Sequence, residues 1–209
     1  MEFIVQLFRA LACRARIRLL RVLVVFGEMY VSDLARATSL EISLVSAHLK
    51  VLAAAGVVWR RRSGRRIAYR LAESAGNPVT AKALGVLTGV FGSISQTDPK
   101  EVAEADQGDS ASHSDRTLFA CFTAFTHPRR LQVIRYLDKH GTASLRELAE
   151  ALSMSMAACI RHLGKLERRG VVCRKLPRSR SAYRLAEGCE PVMRDLLGTV
   201  LSYVARPAR

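Results

Sequence analysis

Residues 41–71 read EISLVSAHLKVLAAAGVVWRRRSGRRIAYRL. Apolar residues recur every three or four positions as far as Ala55, and this spacing predicts an amphipathic helix over Glu41–Ala55. Gly56 follows directly and suits the left-handed conformation that commonly ends a helix. Beyond it, two short runs rich in β-branched and aromatic residues lie on either side of Ser63-Gly64, which predicts a two-stranded hairpin. The stretch therefore predicts a helix followed at once by an arginine-rich hairpin.

Three further helices are predicted before this stretch. Apolar spacing places them at Glu2–Ala10, Arg14–Phe26 and Ser32–Ala37. Because only Thr38-Ser39-Leu40 separates the third of these from the helix at Glu41, the two form a helix-turn-helix. A hairpin that flanks such a motif is called a wing. The sequence thus predicts a winged helix-turn-helix domain, mainly α with a small β-hairpin.

The chain contains this unit twice. At an offset of 114 positions, Phe8–Glu73 aligns with Phe122–Glu187 without a gap. In the second copy, Ser144 and Glu147 have the spacing of a capping box, which supports a helix start there. Closing helices are predicted at Pro78–Ile94 and Pro191–Val204, each beginning with a proline that fits the first helical turn. The fold class is therefore two tandem winged helix-turn-helix domains.

The repeat divides the chain into a first domain at residues 1–96 and a second at residues 116–209. The segment between them, 97–115, contains six acids, one lysine and almost no bulky apolar residue. Such a segment is expected to be a flexible acidic linker. The formal charges of the three parts are +9, −5 and +11, within a total of +15. The linker is interpreted as an aid to solubility, or as a competitor with DNA for a basic face.

Composition and motifs narrow the class of protein. A hydrophobic fraction of 49% over 209 residues is enough for two cores. The excess of basic residues favours a polyanion, with nucleic acid first and an anionic membrane surface second. No signal peptide or membrane span is recognised, and five cysteines without a CxxC pair fit reduced thiols in the cytoplasm. Without a Gly-rich phosphate loop, a nucleophile elbow or a metal-hydrolase motif, the chain is not expected to be an enzyme.

Several stretches resemble the ArsR-type winged-helix repressors. In the first copy these are Ala10–Leu20, Ser46–Leu52, Ala55–Val58 and the Tyr-Arg-Leu strand, and in the second copy Thr126–Leu131. The resemblance implies a repressor that leaves its operator when a metal, metalloid or redox signal arrives. Family members usually act as homodimers of one-domain chains, whereas this chain has two domains. The halves could pair within one chain as a pseudo-dimer, or two chains could associate as a homodimer.

The predicted contacts with DNA lie on the recognition helices and on the wings. Recognition helices reach base edges in the major groove, and wing cations contact phosphates. On the helices the predicted residues are Ser43, Ser46, Ala47, His48 and Lys50, then Met156, Ala157, Ile160, Arg161, His162 and Lys165. On the wings they are Arg60, Arg61, Arg62, Arg65 and Arg66, then Arg174, Lys175, Arg178 and Arg180.

The helix positions are more apolar than hydrogen-bonded readout requires. Arg161 alone among them is a strong reader of guanine, and the others favour thymine methyls and phosphates. For His48 and His162 the alternatives are phosphate contact and packing. Loss of base specificity in one copy is a further alternative.

No cofactor is expected to be required. The positions at which family members place metalloid-binding thiolates are occupied by Tyr30, Ser32, Ser144 and Arg146, and none is a soft ligand. A metal or metalloid effector would have to use the remaining thiols, with Cys13, Cys121 and Cys189 as weak candidates. A redox switch and a purely structural role are the alternatives. Cys159 and Cys173 align with Val45 and Trp59 and are expected in the core.

The sequence therefore predicts a cytoplasmic transcriptional regulator, a repressor that binds double-stranded DNA with both domains and has no membrane partner. The first alternative is a winged-helix protein-interaction module without sequence-specific DNA binding. The second is nonspecific packing of the chromosome.

Overall fold

The computed structural model of the protein describes residues 1–73, 76–94, 98–104, 113–175 and 182–205. These residues fall into two units. One is Gln6–Phe119, and the other combines Met1–Val5 with the residues from Ala120 onward. The boundaries of the units therefore differ from the predicted domain limits at both ends of the first domain.

Helices dominate the first copy, with three short strands between them. Their bounds are α1 Glu2–Leu11, α2 Arg14–Phe26, β1 Met29–Tyr30, α3 Val31–Thr38, α4 Ile42–Ala54, β2 Val58–Ser63, β3 Arg66–Leu71, α5 Pro78–Phe91 and α6 Pro99–Glu104. The predicted helices α3 and α4 are confirmed to within one residue at each end. Gly56 has a φ of 70°, so the left-handed cap predicted after α4 is also confirmed.

The second copy repeats this order of elements. It consists of α7 His113–Ala124, α8 Pro128–His140, β4 Thr142–Ser144, α9 Leu145–Ala151, α10 Met156–Glu167, β5 Val172–Lys175, β6 Ala182–Leu185 and α11 Pro191–Val204. The capping box is present: Ser144 Oγ accepts from the Glu147 N–H, and the Glu147 carboxylate accepts from the Ser144 N–H. The predicted start of α9 is therefore confirmed.

Each copy has a three-stranded antiparallel sheet rather than the predicted two-stranded hairpin. The strand orders are β1-β3-β2 and β4-β6-β5. In the first sheet β1 pairs Met29 with Tyr69 and Tyr30 with Ala68. The additional strand was missed because two or three residues are too few for a period-2 pattern to be visible.

Equivalent positions form the two cores. Phe8 and Phe122, 114 positions apart, are both fully buried, and so are Leu49 and Leu163 of the recognition helices. Burying large apolar side chains of this size stabilises a fold by about 1.5–3 kcal/mol each. The repeat seen in the sequence is therefore a repeat of the packing.

The prediction that residues 97–115 form a flexible linker is wrong for the parts that the structure describes. Pro99–Glu104 forms the helix α6, which packs against α2 and α3 and buries Val102 and Ala103. Asp115 is also buried, in an ion pair with the buried guanidinium of Arg21. The prediction was wrong because it rested on composition alone, which does not show that Arg21 is buried and can pair with Asp115. A buried carboxylate needs such a partner. Residues 105–112 lie outside the described residues.

Membrane-spanning length is not reached by any single helix among the described residues. The pair α3 and α4 is long and apolar enough when counted together, but the two helices are bent by 111° at their junction.

Candidate nucleic-acid interface

The turn between the two helices of the motif contains a left-handed residue at the same position in both copies. The axes of α3 and α4 meet at 111°, within the range of a helix-turn-helix. Ser39, just after α3, has a φ of 54°, and its equivalent Ser153 has a φ of 49°. These are the two described non-glycine residues with positive φ. The shared left-handed residue ends the first helix and sets the direction of the recognition helix.

The recognition helix α4 is held by one face only. Val45, Leu49 and Leu52 are buried in the core. The opposite face contains the predicted contacts: Ser43, Ala47 and Lys50 are exposed, and Ser46 is partly exposed. This face is open to a partner along the first turns of the helix.

Helix α10 has the same division. Cys159, Leu163 and Leu166 are buried. The predicted contacts Met156, Ala157, Ile160, Arg161 and Lys165 are all exposed. Arg161 makes no hydrogen bond or ion pair with any other described residue, so its guanidinium is available for a ligand. A guanidinium placed in this way can donate two hydrogen bonds to guanine.

The arginines of the first wing divide into restrained and available side chains. Arg61 donates from Nε to Glu28 Oε1 at 3.2 Å. This bond lowers the pKa of the Glu28 carboxyl. Arg66 lies 3.6 Å from Asp33 and stacks over the Tyr30 ring at 3.7 Å. These two guanidinia are partly neutralised by the domain itself.

The remaining cations of this wing are better placed for phosphates. Among the described residues, Arg62 donates to the Gly64 carbonyl at the tip alone, at 3.1 Å. Arg60 and Arg65 are exposed and make no ion pair within the described part of the chain. Since side chains alternate along a strand, Arg60 and Arg62 lie on the face of β2 opposite to Arg61. Three of the five predicted wing arginines are therefore free to contact DNA.

The wing and the recognition helix share one concave surface. A cavity of about 290 Å³ lies between them. Its lining comes from α3 and the strand before it, from α4 and from the hairpin: Tyr30, Val31, Ser32, Ile42, Ser46, Arg65, Arg66 and Ile67. The structure thus brings predicted helix contacts and predicted wing contacts together.

The second wing is described only at its base. Arg174 lies 3.6 Å from Glu167 and over the Tyr183 ring at 5.4 Å. Lys175 is exposed and has no ion pair with another described residue. Arg178 and Arg180, predicted at the tip, lie outside the described residues.

The two recognition-helix histidines occupy positions suited to packing. His162 lies with its ring 4.6 Å from that of His127, and its Nδ1 atom is buried without a hydrogen bond. Burial, with His127 and neighbouring cations, lowers the pKa of His162 to about 4. The pKa of His48 is also lowered, by burial and by Arg16. A neutral, half-buried imidazole is a poor phosphate ligand, so the geometry favours the packing alternative.

The thiols do not assemble a metal site in the described part of the chain. No three His, Cys, Asp or Glu side chains there lie close enough to share an ion. Burial raises the pKa of the Cys121 thiol to about 12, with Glu190 and Cys189 adding to the shift. Cys189 is buried and Cys13 is partly exposed. Cys159 is fully buried, as predicted, whereas Cys173 is only partly buried.

Sequence reasoning missed two features of this surface. Trp59, the single tryptophan of the chain, lies on β2 with 46% of its surface exposed and with Arg70 4.8 Å from its ring. Arg18 donates to the Thr38 carbonyl at 2.9 Å and to the Ala103 carbonyl at 3.3 Å, so it joins the end of α3 to α6. The alternating strand pattern could have indicated the first feature, but no local pattern could have revealed the second.

Comparison with known proteins agrees with this geometry in both copies. Residues 13–59 match the model of the bacterial regulatory protein arsR family. Residues 127–172 match the model of winged helix-turn-helix DNA-binding domains. Each matched region contains a whole helix-turn-helix and the beginning of the hairpin that follows it.

Two curated relatives match part of this chain. The HTH-type transcriptional repressor SmtB, from two strains of Mycobacterium tuberculosis, is 46% identical over 68 residues. The match covers 32% of this chain and 50% of the relative, so the chain spans about half the length of the curated relatives it matches. The chain consists of two tandem winged helix-turn-helix domains, and residues 13–59 of the first are similar to the bacterial regulatory proteins of the arsR family.

Proposed function

We propose that this protein is a transcriptional repressor that binds operator DNA through the recognition helices and wings of both domains. The observation on which this depends is the shared concave surface, where exposed positions of α4 meet Arg65 and Arg66 of the wing. The name of the similar Mycobacterium tuberculosis protein, a transcriptional repressor, supports the same activity here.

Electrostatics support a duplex as the ligand. The total formal charge is +15, and half of the exposed lysines and arginines in the described part of the chain lie on the hairpins and recognition helices. Phosphate contacts release counterions, which gives binding energy that decreases steeply with salt. Lys50 and Arg161, both exposed, add a cation to each recognition helix.

Two half-sites are part of the proposal, because one chain provides two recognition helices. We propose that the first and last helices mediate pairing, within one chain or between two chains. The ring of Phe3 in α1 lies 6.2 Å from that of Tyr203 in α11. This aromatic contact supports the involvement of those two helices.

The proposal also covers the compartment, the absence of catalysis and the cofactor requirement of the protein. It acts in the cytoplasm, has no enzymatic activity, and needs no cofactor to bind DNA. Cys121 is a poor site for an effector that reacts with thiolates, because burial raises the pKa of its thiol to about 12 and keeps it protonated at neutral pH.

A titration over a salt series tests this function. Fluorescently labelled duplexes from a random-sequence pool would be titrated with the full chain, followed by anisotropy. With about six to ten phosphate contacts, affinity should fall by about 10³–10⁵ between 50 and 200 mM salt. Trp59 fluorescence gives an unlabelled signal from the first wing in the same experiment.

The alternatives predict different results. A steep salt slope without any preferred sequence would indicate chromosome packing. No binding to any duplex at low salt would contradict the proposal and favour a protein-interaction module.

A further inference from the structure

We propose that the recognition helices read thymine through its 5-methyl group, with Ile42 in α4 and with Met156 and Ile160 in α10. This inference rests on the DNA binding proposed above and specifies which base edges the site recognises.

The first observation is the exposure of large apolar side chains on this surface. Ile42 is 60% exposed, Met156 46% and Ile160 53%. Most of the large apolar side chains that are exposed in the described part of the chain lie on the recognition helices or on β2: Ile42, Leu44, Val51, Trp59, Met156 and Ile160. Ile42, Met156 and Ile160 lie in the first half of their helices, and apolar side chains exposed there indicate a contact with a ligand in each domain. Val51 lies in the second half of α4 and does not line the wing cavity.

The second observation is the charge around these side chains. Ile42 lines the same cavity as Arg65 and Arg66, and Ile160 precedes Arg161, which pairs with no other described residue. Helix α4 itself contains no acidic residue. A ligand that covers this surface must offer both an apolar group and dense negative charge. A DNA duplex does so, because its phosphates flank the methyl groups in the major groove.

The chemistry of these apolar side chains allows them to distinguish thymine from the other bases. Isoleucine has no hydrogen-bonding group, and the methionine sulfur is only a weak acceptor. Neither can read the donors and acceptors of guanine, adenine or cytosine. Thymine is the one standard base with a methyl group at the major-groove edge. The apolar positions can therefore discriminate only by contact with that methyl.

The two copies differ at equivalent positions, which makes the readout unequal. Met156 corresponds to Ile42, whereas Ile160 corresponds to Ser46 and Arg161 to Ala47. The second helix therefore has an additional methyl contact and the single strong guanine reader. We expect the half-site of the second domain to be the more strictly defined, with a guanine next to thymine.

The test compares duplexes that differ only in the methyl groups. Sequences would be selected from a random duplex pool with the full chain, and the selected pool would be resynthesised with deoxyuridine in place of thymidine. Each lost methyl contact should weaken binding about fourfold, and three contacts together by at least about tenfold. The salt slope should not change, because the number of phosphates is the same.

Variants assign the effect to particular side chains. Ile160→Ser introduces the residue found in the first copy, and the exposure of Ile160 means that the fold should tolerate it. In this variant, the loss of affinity on replacing thymidine by deoxyuridine should be about four times smaller than in the natural chain. Val51→Ser, a 43% exposed apolar residue in the second half of α4, is the matched control and should retain the full penalty.

The outcomes separate this inference from the function on which it rests. Equal binding of the thymidine and deoxyuridine pools, or an unchanged penalty in Ile160→Ser, would overturn methyl readout while DNA binding remained. If neither pool bound at low salt, the proposed function itself would fail, and this inference with it.

Discussion

The second helix of each copy has an arginine at the same position, and the two arginines have opposite environments. Arg21 in α2 is 1% exposed, pairs with Asp115, donates to the Val102 carbonyl at 3.1 Å, and lies over the Phe91 ring. Arg135 in α8, its equivalent, is exposed. The acidic segment 97–115 lies between the two copies. Among the described residues, the buried ion pair of Arg21 thus has no counterpart at the equivalent arginine of the second copy.

The largest effect should follow from removing the partner of Arg21. Asp115→Ala leaves a buried guanidinium without its counter-charge, so the free energy of unfolding of the first domain should fall by about 3–5 kcal/mol. Urea denaturation followed by the fluorescence of Trp59, which lies in the first domain, measures this change.

The exposed equivalent provides the control for that experiment. Arg135→Ala should alter stability by less than about 0.5 kcal/mol, because its side chain is solvated. Similar losses in both variants would show that Asp115 has no special role, and the asymmetry between the copies would have to be abandoned.

Protonation of His162 should make the stability of the second domain depend on pH. The pKa of His162 in the folded state is about 4, below the ordinary 6.5, because burial and nearby cations disfavour its charged form. Its contribution to stability is therefore complete above pH 6.5 and is lost as the pH falls from 6.5 towards 4. With allowance for partial exposure, we expect a loss of about 2 kcal/mol.

Hydrogen exchange of α10 across this pH range measures the loss, and His162→Gln is the control. The variant should lack the part of the pH dependence that belongs to the imidazole. An identical decrease in the variant and the natural chain would assign the effect to other groups.

The two copies also differ, with a smaller effect on stability, in helix capping, which is present in the second copy. His127, Ser144 and Ser155 each accept a hydrogen bond from the backbone at the start of a helix. Their equivalents in the first copy, Cys13, Tyr30 and Glu41, make no side-chain cap. Ser144→Ala should therefore destabilise α9 by about 1 kcal/mol, seen as faster hydrogen exchange of that helix.

Glu41→Gln gives the corresponding control in the first copy. Because no cap is present to be lost there, we expect a change below about 0.5 kcal/mol. A larger effect at Glu41 than at Ser144 would contradict the assignment of the caps.

Local patterns were sufficient for the elements that form the motif. The helical spacing before Gly56 and the hairpin around Gly64 predicted α4, β2 and β3, and the 114-residue repeat transferred the result to the second copy. The exposed faces of α4 and α10 also followed, because the buried side chains recur every three or four residues.

Contacts distant in sequence could not be predicted in this way. The helix α6 depends on Arg18 and Arg21, which lie about 80 positions earlier, and composition alone favoured a flexible segment. The restraint of Arg61 by Glu28 and of Arg66 by Tyr30 likewise depends on how the strands pair. The sequence therefore predicted the fold and the exposed face of each recognition helix, but not which wing arginines are paired within the domain.

Charge reversal on both wings tests the central claim most directly. The variant would change Arg60, Arg62 and Arg65 in the first wing and Arg174 and Lys175 in the second to glutamate, with Lys139→Glu on α8 as a control for a single exposed charge. Anisotropy titrations with a duplex pool should show at least about a hundredfold loss of affinity and a salt slope that is shallower by several units. Unchanged duplex affinity and an unchanged slope would contradict the claim that both hairpins bind DNA.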